Sequence, residues 1–202
     1  ADRAYSDDEP SAARLEKRFA AVCGGSYKSH ILASDLHEAI EGMQPDMWDD
    51  PIFETRFRQQ CGDQVAKMAR VAAGYAALAR QLKGKAADRS TGDLEHAYLT
   101  ARAFASRYDL SARLLTAYRR KDRAATTRLR GRIPLVAGHI RAMEESFRTM
   151  WLNHNKAEGL ETIQARFGML EARYRELSRR LAEYGRGEVK TIAELEYGAP
   201  PK

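Results

Sequence analysis

Apolar residues recur at alternating steps of three and four along most of the chain. This spacing brings them onto one face of an α-helix, and such a face needs a partner surface that buries it. The four clearest rows are Val65, Met68, Ala72, Tyr75, Ala79 and Leu82; Leu94, Tyr98, Ala101, Ala105, Tyr108, Ala112 and Leu115; Val136, Ile140, Met143, Phe147 and Met150; and Leu160, Ile163, Phe167, Leu170, Tyr174, Leu177, Leu181 and Tyr184. Short polar joints separate them, so the sequence predicts an all-α protein, an antiparallel bundle of about five to seven helices.

Residues typical of helix ends lie between these rows. Asp63, Ser90 and Asp122 are predicted N-caps, because short polar side chains accept hydrogen bonds from the first free backbone amides of a helix. Gly185 and Gly187 are predicted to end the last long helix, since glycine adopts the left-handed conformation common there.

The first third of the chain is less regular. Leu15, Phe19 and Val22 predict one helix, and Ser34 is predicted to cap the start of a short second one. Residues 42–57 read GMQPDMWDDPIFETRF, which predicts a turn-rich connector.

Composition is that of a folded domain, with 44% hydrophobic and 31% charged residues among 202. No apolar run reaches the about 18 residues that a membrane span needs. The chain starts at Ala1 without a signal peptide, so we expect a processed product or fragment and a cytoplasmic location. Cys23 and Cys61 lie too far apart for a C-x-x-C pair and are expected to be ordinary buried or semi-buried thiols.

The net charge of +6 raises the question of an acidic partner. Arg166, Arg173 and Arg180 fall seven residues apart and would form a stripe along one helix. No aromatic residues alternate with them as base-stacking platforms would, so nucleic-acid binding is not expected. Glu171 and Arg175 have the i,i+4 spacing of a salt-bridged solvent face. A free-standing basic helical domain that binds an acidic protein or nucleic acid stays the alternative interpretation.

Catalytic and metal-binding patterns are missing from the sequence. It contains no phosphate-binding loop, dinucleotide fingerprint, nucleophile elbow or zinc-protease motif. The histidines are scattered, and His139 lies beside an apolar row, which favours a packing role. The acidic groups Asp7-Asp8-Glu9 and Asp49-Asp50 lie beside prolines in connectors, whereas acid–base catalysis needs carboxylates held in a cleft. The residues therefore predict no catalytic group, no metal and no cofactor.

The joint before the last long helix carries a resemblance to a known family. FRTMWLNHNKAEGLETIQARFGMLEARYRELSRRLAEYGRGEVKTIAELE resembles the C-terminal end of bacterial glycoside hydrolase family 20 β-N-acetylhexosaminidases, the type with a helical domain after the catalytic barrel. The matching positions are Trp151-Leu152, Asn155-Lys156, Gly159-Leu160-Glu161, Arg166, Gly168 and Glu194-Leu195-Glu196.

Upstream segments are similar to the same family. MWDDPIF matches its Trp-x-Asp-Pro connector at Trp48, Asp50 and Pro51, and RFAAVCGG matches a helix ending in glycine. The chain departs from the family where Ser111 stands for glycine after leucine and Lys121 precedes aspartate in place of glycine. At the joint the family often has Asn-Lys-Pro-Phe-Gly, where this chain has Asn-Lys-Ala-Glu-Gly.

The resemblance implies a longer protein in which catalysis belongs to a separate domain. In the family, a barrel holds the catalytic Asp-Glu pair, and Asp8-Glu9 here cannot be that pair because it lies in a linker. We therefore expect 1–10 to be a linker from an upstream catalytic barrel, 11–197 a non-catalytic helical accessory domain and 198–202 a tail. The parent would be a glycosidase that removes terminal N-acetylhexosamine residues. The expected partners are its own barrel and a second copy in a homodimer.

Five residues are candidates for the rim of the substrate site or for an interface. They are Trp48, Asp50, Trp151, Asn155 and Arg166. Asn155 and Glu158 have the spacing of a capping box, which predicts that Asn155 caps the last long helix and that Trp151 fills the joint. In the functional alternative, the joint and Arg166 face the barrel or a partner subunit.

Overall fold

The computed structural model describes residues 11–37, 40, 42–85 and 93–196. Its elements are α1 Ala12–Cys23, α2 Tyr27–Ser34, α3 Thr55–Gln60, α4 Val65–Lys83, α5 Asp93–Arg119, α6 Arg123–Arg128, a 3₁₀ turn Leu129–Arg132, α7 Ile133–His154, α8 Leu160–Arg186 and α9 Ala193–Glu196. The described residues contain no β-strand and six helices of at least seven residues. The predicted all-α bundle is confirmed. The predicted linker 1–10 and tail 198–202 lie outside the described residues.

Helix α5 runs through the centre of the bundle, packed mainly against α4 and α7. The predicted row on α5 describes only one of its buried faces. Buried side chains also include Phe104, Leu110 and Leu114, which lie outside that row. A helix surrounded by neighbours buries most of its circumference, and this explains why the expected single apolar face was too narrow.

Helix α8 closes the bundle against α7 and α6. Its predicted apolar row is confirmed, since Leu170, Leu177 and Leu181 are at most 1% exposed. Removing each such side chain from water stabilises the fold by about 1.5–3 kcal/mol. The chain then folds back, so that Ile192 and Leu195 join the same core.

Two predicted helix ends agree with the structure. Asp122 caps α6, because its carboxylate accepts a hydrogen bond of 2.8 Å from the backbone N–H of Ala125. Gly187 ends α8 with φ of 81°, a left-handed conformation that glycine adopts without strain. Ser90 lies outside the described residues.

The prediction that Gly185 ends α8 is wrong, because Gly185 lies within the helix. A Cβ atom at this position would come within 2.6 Å of Oγ1 of Thr127, so glycine is needed for α6 to approach α8. Its role is to allow close packing of the two helices. A glycine near a helix end does not reveal from the sequence alone whether it serves this role or ends the helix.

Two other predicted N-caps are wrong. Asp63 precedes α4, but its carboxylate binds the guanidinium groups of Arg58 and Arg119 and does not bind the amides of the helix. Ser34 is the last residue of α2, and the hydroxyl of Ser26 caps the start of that helix. Both residue types suit a cap. Asp63 binds distant arginines instead, and Ser34 lies at the end of its helix and not at the start.

The two cysteines differ in their surroundings. Cys61 is buried as expected, and burial raises the pKa of its thiol. Cys23 is exposed at the end of α1, so the prediction of a buried or semi-buried thiol is wrong there. Within the ranges that the structure describes, no helix is both long enough and apolar enough to cross a membrane.

Candidate functional site: the connector and the joint

The connector 46–54 is folded by its own carboxylates. Asp46 Oδ1 accepts a hydrogen bond of 2.9 Å from the N–H of Trp48. Asp50 Oδ1 accepts one of 2.8 Å from the N–H of Ile52. Such local bonds tighten the backbone into turns. The connector is therefore an ordered loop with defined contacts.

Its two other acids tie the connector to the bundle. Asp49 Oδ2 accepts a hydrogen bond of 2.9 Å from the N–H of Phe57, in the first turn of α3. Glu54 immediately precedes α3 with a left-handed φ of 48° and is only 3% exposed. A buried glutamate needs a partner, because an unpaired charge in the interior is unfavourable.

That partner is Arg107, which α5 contributes from the centre of the bundle. Arg107 is 1% exposed, and its Nε lies 3.2 Å from Glu54 Oε1. Its Nη1 donates to the carbonyl of Met47 at 2.7 Å, and its Nη2 donates to the carbonyl of Asp49. One guanidinium group thus binds the connector at three points. The planar arginine fork suits this multiple contact.

Burial dominates the electrostatics of this cluster. Burial raises the pKa of Glu54 to about 7, although Arg107 acts in the opposite direction. For Arg107, burial is the largest single effect and lowers the pKa, but Glu54 together with the nearby tyrosines and Asp49 outweighs it, and the pKa is raised. Burial likewise raises the pKa of Tyr174. Glu54 Oε2 and the Tyr174 hydroxyl have no hydrogen-bond partner among the described residues.

Helix α8 holds the outer side of the connector. Arg173 forms an ion pair with Asp50. The ring of Trp48 packs edge-on against Phe167, with centroids 5.1 Å apart, and the guanidinium of Arg166 lies 5.5 Å from the centre of the Trp48 ring. Cation–π contacts of this kind are worth about 0.5–1 kcal/mol at exposed sites. Three of the predicted site residues, Trp48, Asp50 and Arg166, therefore share one surface.

The arginine stripe on α8 is used largely inside the molecule. Arg173 binds the connector, and Arg180 binds Glu183 and Glu194, the latter from the last helical turn. Arg166 and Arg173 hold the first half of α8 to the connector, and Arg180 holds its second half to the C-terminal segment.

The joint between α7 and α8 is built on Trp151. Its Nε1 donates a hydrogen bond of 2.8 Å to the carbonyl of Lys156, and its ring lies 5.7 Å from that of Phe147. Gly159 has φ of 90°, and a Cβ atom there would lie 3.4 Å from Cζ2 of Trp151. The predicted role of Trp151 in the joint agrees with these contacts, although its ring is only half-buried.

Asn155 does not cap α8, so the predicted capping box is wrong. It ends α7, where its N–H and its side-chain Nδ2 donate to the carbonyl of Trp151 at 2.7 and 3.2 Å. Gly159 occupies the N-cap position before Leu160 instead, and its N–H donates to Glu161. The left-handed turn at Gly159 moves the start of the helix beyond the residues with capping spacing.

The five predicted site residues fall into two groups. Trp48, Asp50 and Arg166 meet at the connector, and Trp151 and Asn155 lie at the joint. Their assignment to a substrate rim or an interface stays a prediction.

Sequence reasoning missed Arg107 and Glu54. A usable signal was present at Arg107, which lies between Phe104 and Ser111 on a helix with otherwise buried neighbours. A long charged side chain among buried positions indicates a fixed internal partner. The identity of that partner was not readable, because Glu54 lies in a loop.

The described residues contain no group of three or more His, Cys, Asp or Glu side chains placed to hold a metal ion. His139 is half-buried, and burial lowers its pKa, with Arg102 acting in the same direction. This agrees with a packing role.

The structure thus defines a class of domain: an α-helical bundle whose Trp-x-Asp-Pro connector is bound to the two longest helices. The chain matches the Glycoside Hydrolase 20C C-terminal domain over residues 47–200. That is well over half of its length, and the chain belongs to this family. The resemblance found in the sequence is confirmed. No curated protein matches the chain closely enough to count as a relative.

Proposed function

We propose that this chain is the non-catalytic helical accessory domain of a β-N-acetylhexosaminidase. The domain packs on a catalytic barrel of the same polypeptide and takes part in a homodimer. The observation on which the proposal rests is the family match over residues 47–200, which includes both the connector and the joint.

The carboxylates of the connector support a structural role. Asp49 and Asp50 accept backbone hydrogen bonds, and Asp50 also binds Arg173. Glu54 is enclosed with Arg107. General acid catalysis requires a carboxyl group within reach of the bond that breaks, whereas these groups are committed to holding the loop.

The N-terminal hairpin supports packing on the barrel. Helix α1 contributes no buried side chain, and Phe19 contacts only the neighbouring α2, through Tyr27 and His30, among the described ring contacts. Val22 and Ile31 are 84% and 51% exposed. Apolar side chains grouped in this way favour a protein interface. We assign the barrel contact to α1 and α2.

We assign the homodimer contact to α7 and α8, which carry single exposed apolar side chains. Leu135, Leu152 and Met169 on α7 and α8 are 53%, 40% and 46% exposed. They lie on the two helices that close the bundle. A dimer through α7 and α8 would leave the hairpin free for the barrel.

The proposal is tested by assaying the chain alone and joined to its upstream coding sequence. The substrate is a chromogenic N-acetylglucosaminide, and a mock purification serves as the control. We expect turnover by the joined protein only. Turnover by the chain alone that disappears in Asp49→Asn or Asp50→Asn would show that the chain is itself an enzyme.

The alternative, a free-standing basic domain for an acidic partner, depended mainly on the stripe of arginines. The ion pairs of Arg173 and Arg180 remove two of its three cations. A joined protein without hexosaminidase activity, together with salt-sensitive binding of nucleic acid by the chain, would favour this alternative.

A further inference from the structure

A cationic pocket lies at the end of the bundle opposite the joint. It has a volume of about 480 Å³ and lies between α3, the α5–α6 turn, the end of α8 and the C-terminal segment. Its charged lining residues are Arg58, Arg119, Lys121, Arg123, Lys190 and Glu196. Tyr118 and Tyr184 form aromatic walls.

Positive charge exceeds negative charge around this pocket. Arg58 and Arg119 share one carboxylate, that of Asp63. Arg123 has an aromatic partner instead, since its guanidinium lies 4.3 Å from the centre of the Tyr184 ring and Nη1 donates to the Tyr184 carbonyl.

The two lysines add to this excess. Lys121 and Lys190 are exposed and form no ion pair within the described part of the chain. The five cations therefore stand against three carboxylates, Asp63, Glu196 and Asp122 of the α5–α6 turn, which leaves an excess of two positive charges. Like charges held this close repel one another unless an anion joins them.

Arg58 is a fixed, buried cation in the wall of the same pocket. It is 4% exposed; its Nε lies 2.9 Å from Asp63 Oδ1, and its Nη1 donates to the carbonyl of Leu195 at 3.2 Å. Its Nη2 is buried and has no acceptor among the described residues. Arg58 is therefore held in place by Asp63 and Leu195 and contributes its positive charge to the pocket wall.

Lys121 is held at the pocket in a conformation that favours glycine. Its φ is 55°, and the turn after α5 is closed by Asp122 N–H to the Ala117 carbonyl and by Lys121 N–H to the Tyr118 carbonyl. This is the glycine position of a common helix ending. A lysine there places an ammonium group at the pocket at the expense of backbone strain.

We propose that this pocket binds the phosphate group of a small phosphorylated molecule. Cationic side chains form strong charge-assisted hydrogen bonds with phosphate oxygens, and the excess of positive charge suits a dianion better than a single carboxylate. The pocket lies within the size range of ligand sites and exceeds the need of one phosphate group, which leaves room for an attached sugar along the tyrosine walls. This inference is independent of the proposed hexosaminidase.

The test is calorimetric titration of the full 202-residue chain with inorganic phosphate, with sodium chloride at equal ionic strength as the reference. We expect saturable binding of phosphate and none of chloride. A parallel titration with glucose 6-phosphate distinguishes the sources: tighter binding than that of phosphate indicates a sugar phosphate, and equal binding indicates the free anion. Absence of saturable binding of either probe would overturn the proposal.

Two variants locate the binding without risk to the fold. Lys121→Gly and Lys190→Gln remove exposed charges, and each is expected to weaken phosphate binding about tenfold, the effect of losing one charged contact. Lys121→Gly should also keep or raise the denaturant midpoint, because it removes backbone strain. Arg58→Gln is less suitable, since a buried ion pair is lost with it.

Arg148→Gln is the matched control. It also removes one positive charge from an exposed side chain, but Arg148 lies on α7 near the joint, at the end of the bundle opposite the pocket. We expect it to bind phosphate as the unaltered chain does. Equal weakening in all three variants would indicate general attraction by net charge and would overturn the proposal. Unaltered binding in both lysine variants would do the same.

Discussion

Arg107 of α5 and Glu54 of the connector form a buried ion pair, with Nε 3.2 Å from Oε1 and both side chains almost fully enclosed. The same guanidinium binds two connector carbonyls. The pair joins the central helix to the loop that precedes α3. Its geometry leads to two predictions.

Replacing Arg107 by methionine is expected to lower the free energy of unfolding by about 3–5 kcal/mol, because Glu54 would stay buried without its partner. Two carbonyls would also lose their donor. Chemical denaturation measures the change. Arg113→Met, on the exposed side of the same helix, is the control and should change stability by less than about 1 kcal/mol. Similar losses in both variants would contradict a special role for Arg107.

Glu54 is expected to make stability depend on pH between about 4.5 and 7. Burial raises its pKa from 4.5 to about 7 in the folded state, so the folded protein holds the proton more tightly than the unfolded chain. The resulting stabilisation is fully present below pH 4.5 and is lost as the pH rises through 7. Denaturation at several pH values should show this decline, which Glu54→Gln should reduce. A parallel pH profile in the variant would refute the assignment to Glu54.

At the joint, Trp151→Ala is expected to cost about 2 kcal/mol, roughly half the effect of a fully buried ring. Asn155→Ala should cost less than about 0.5 kcal/mol, because Asn155 is exposed and does not cap α8. Denaturant midpoints distinguish the two. A larger loss for Asn155→Ala than for Trp151→Ala would restore the capping interpretation.

Arg173→Gln is expected to loosen the connector, since it removes the ion pair with Asp50. Amide hydrogen exchange of residues 52–54 should become faster, whereas the centre of α5 should keep its protection. Arg175→Gln, with a single exposed contact to Glu171, is the control. If both variants exchange alike, Arg173 does not restrain the connector.

The exposed hairpin is expected to cause self-association of the isolated chain. Val22→Ser should reduce concentration-dependent association in sedimentation experiments and leave the unfolding midpoint unchanged, because this side chain is 84% exposed. Ala13→Ser, an exposed position on the same helix, controls for added polarity. An unaltered chain that stays monomeric at high concentration would argue against the hairpin as an interface.

Periodicity alone determined the long helices α4, α7 and α8 and most of their buried faces. Spacing of three and four residues is a local property, and it identifies a helix face whatever that face packs against. Asp122 and Gly187 were also readable, because a cap or a left-handed helix end depends on neighbouring residues only. The family resemblance rested on the order of such local motifs.

Tertiary structure alone decided what the charged residues do. Arg107 and Glu54 are 53 positions apart, and Arg58 and Leu195 are 137 apart. Periodicity gives no information on such pairs, because the partner of a long side chain depends on how the helices are arranged. The same reason explains Asp63, whose type suits a cap but which binds two arginines instead. Packing also decided that α5 buries most of its circumference, since this depends on the number of helices surrounding it.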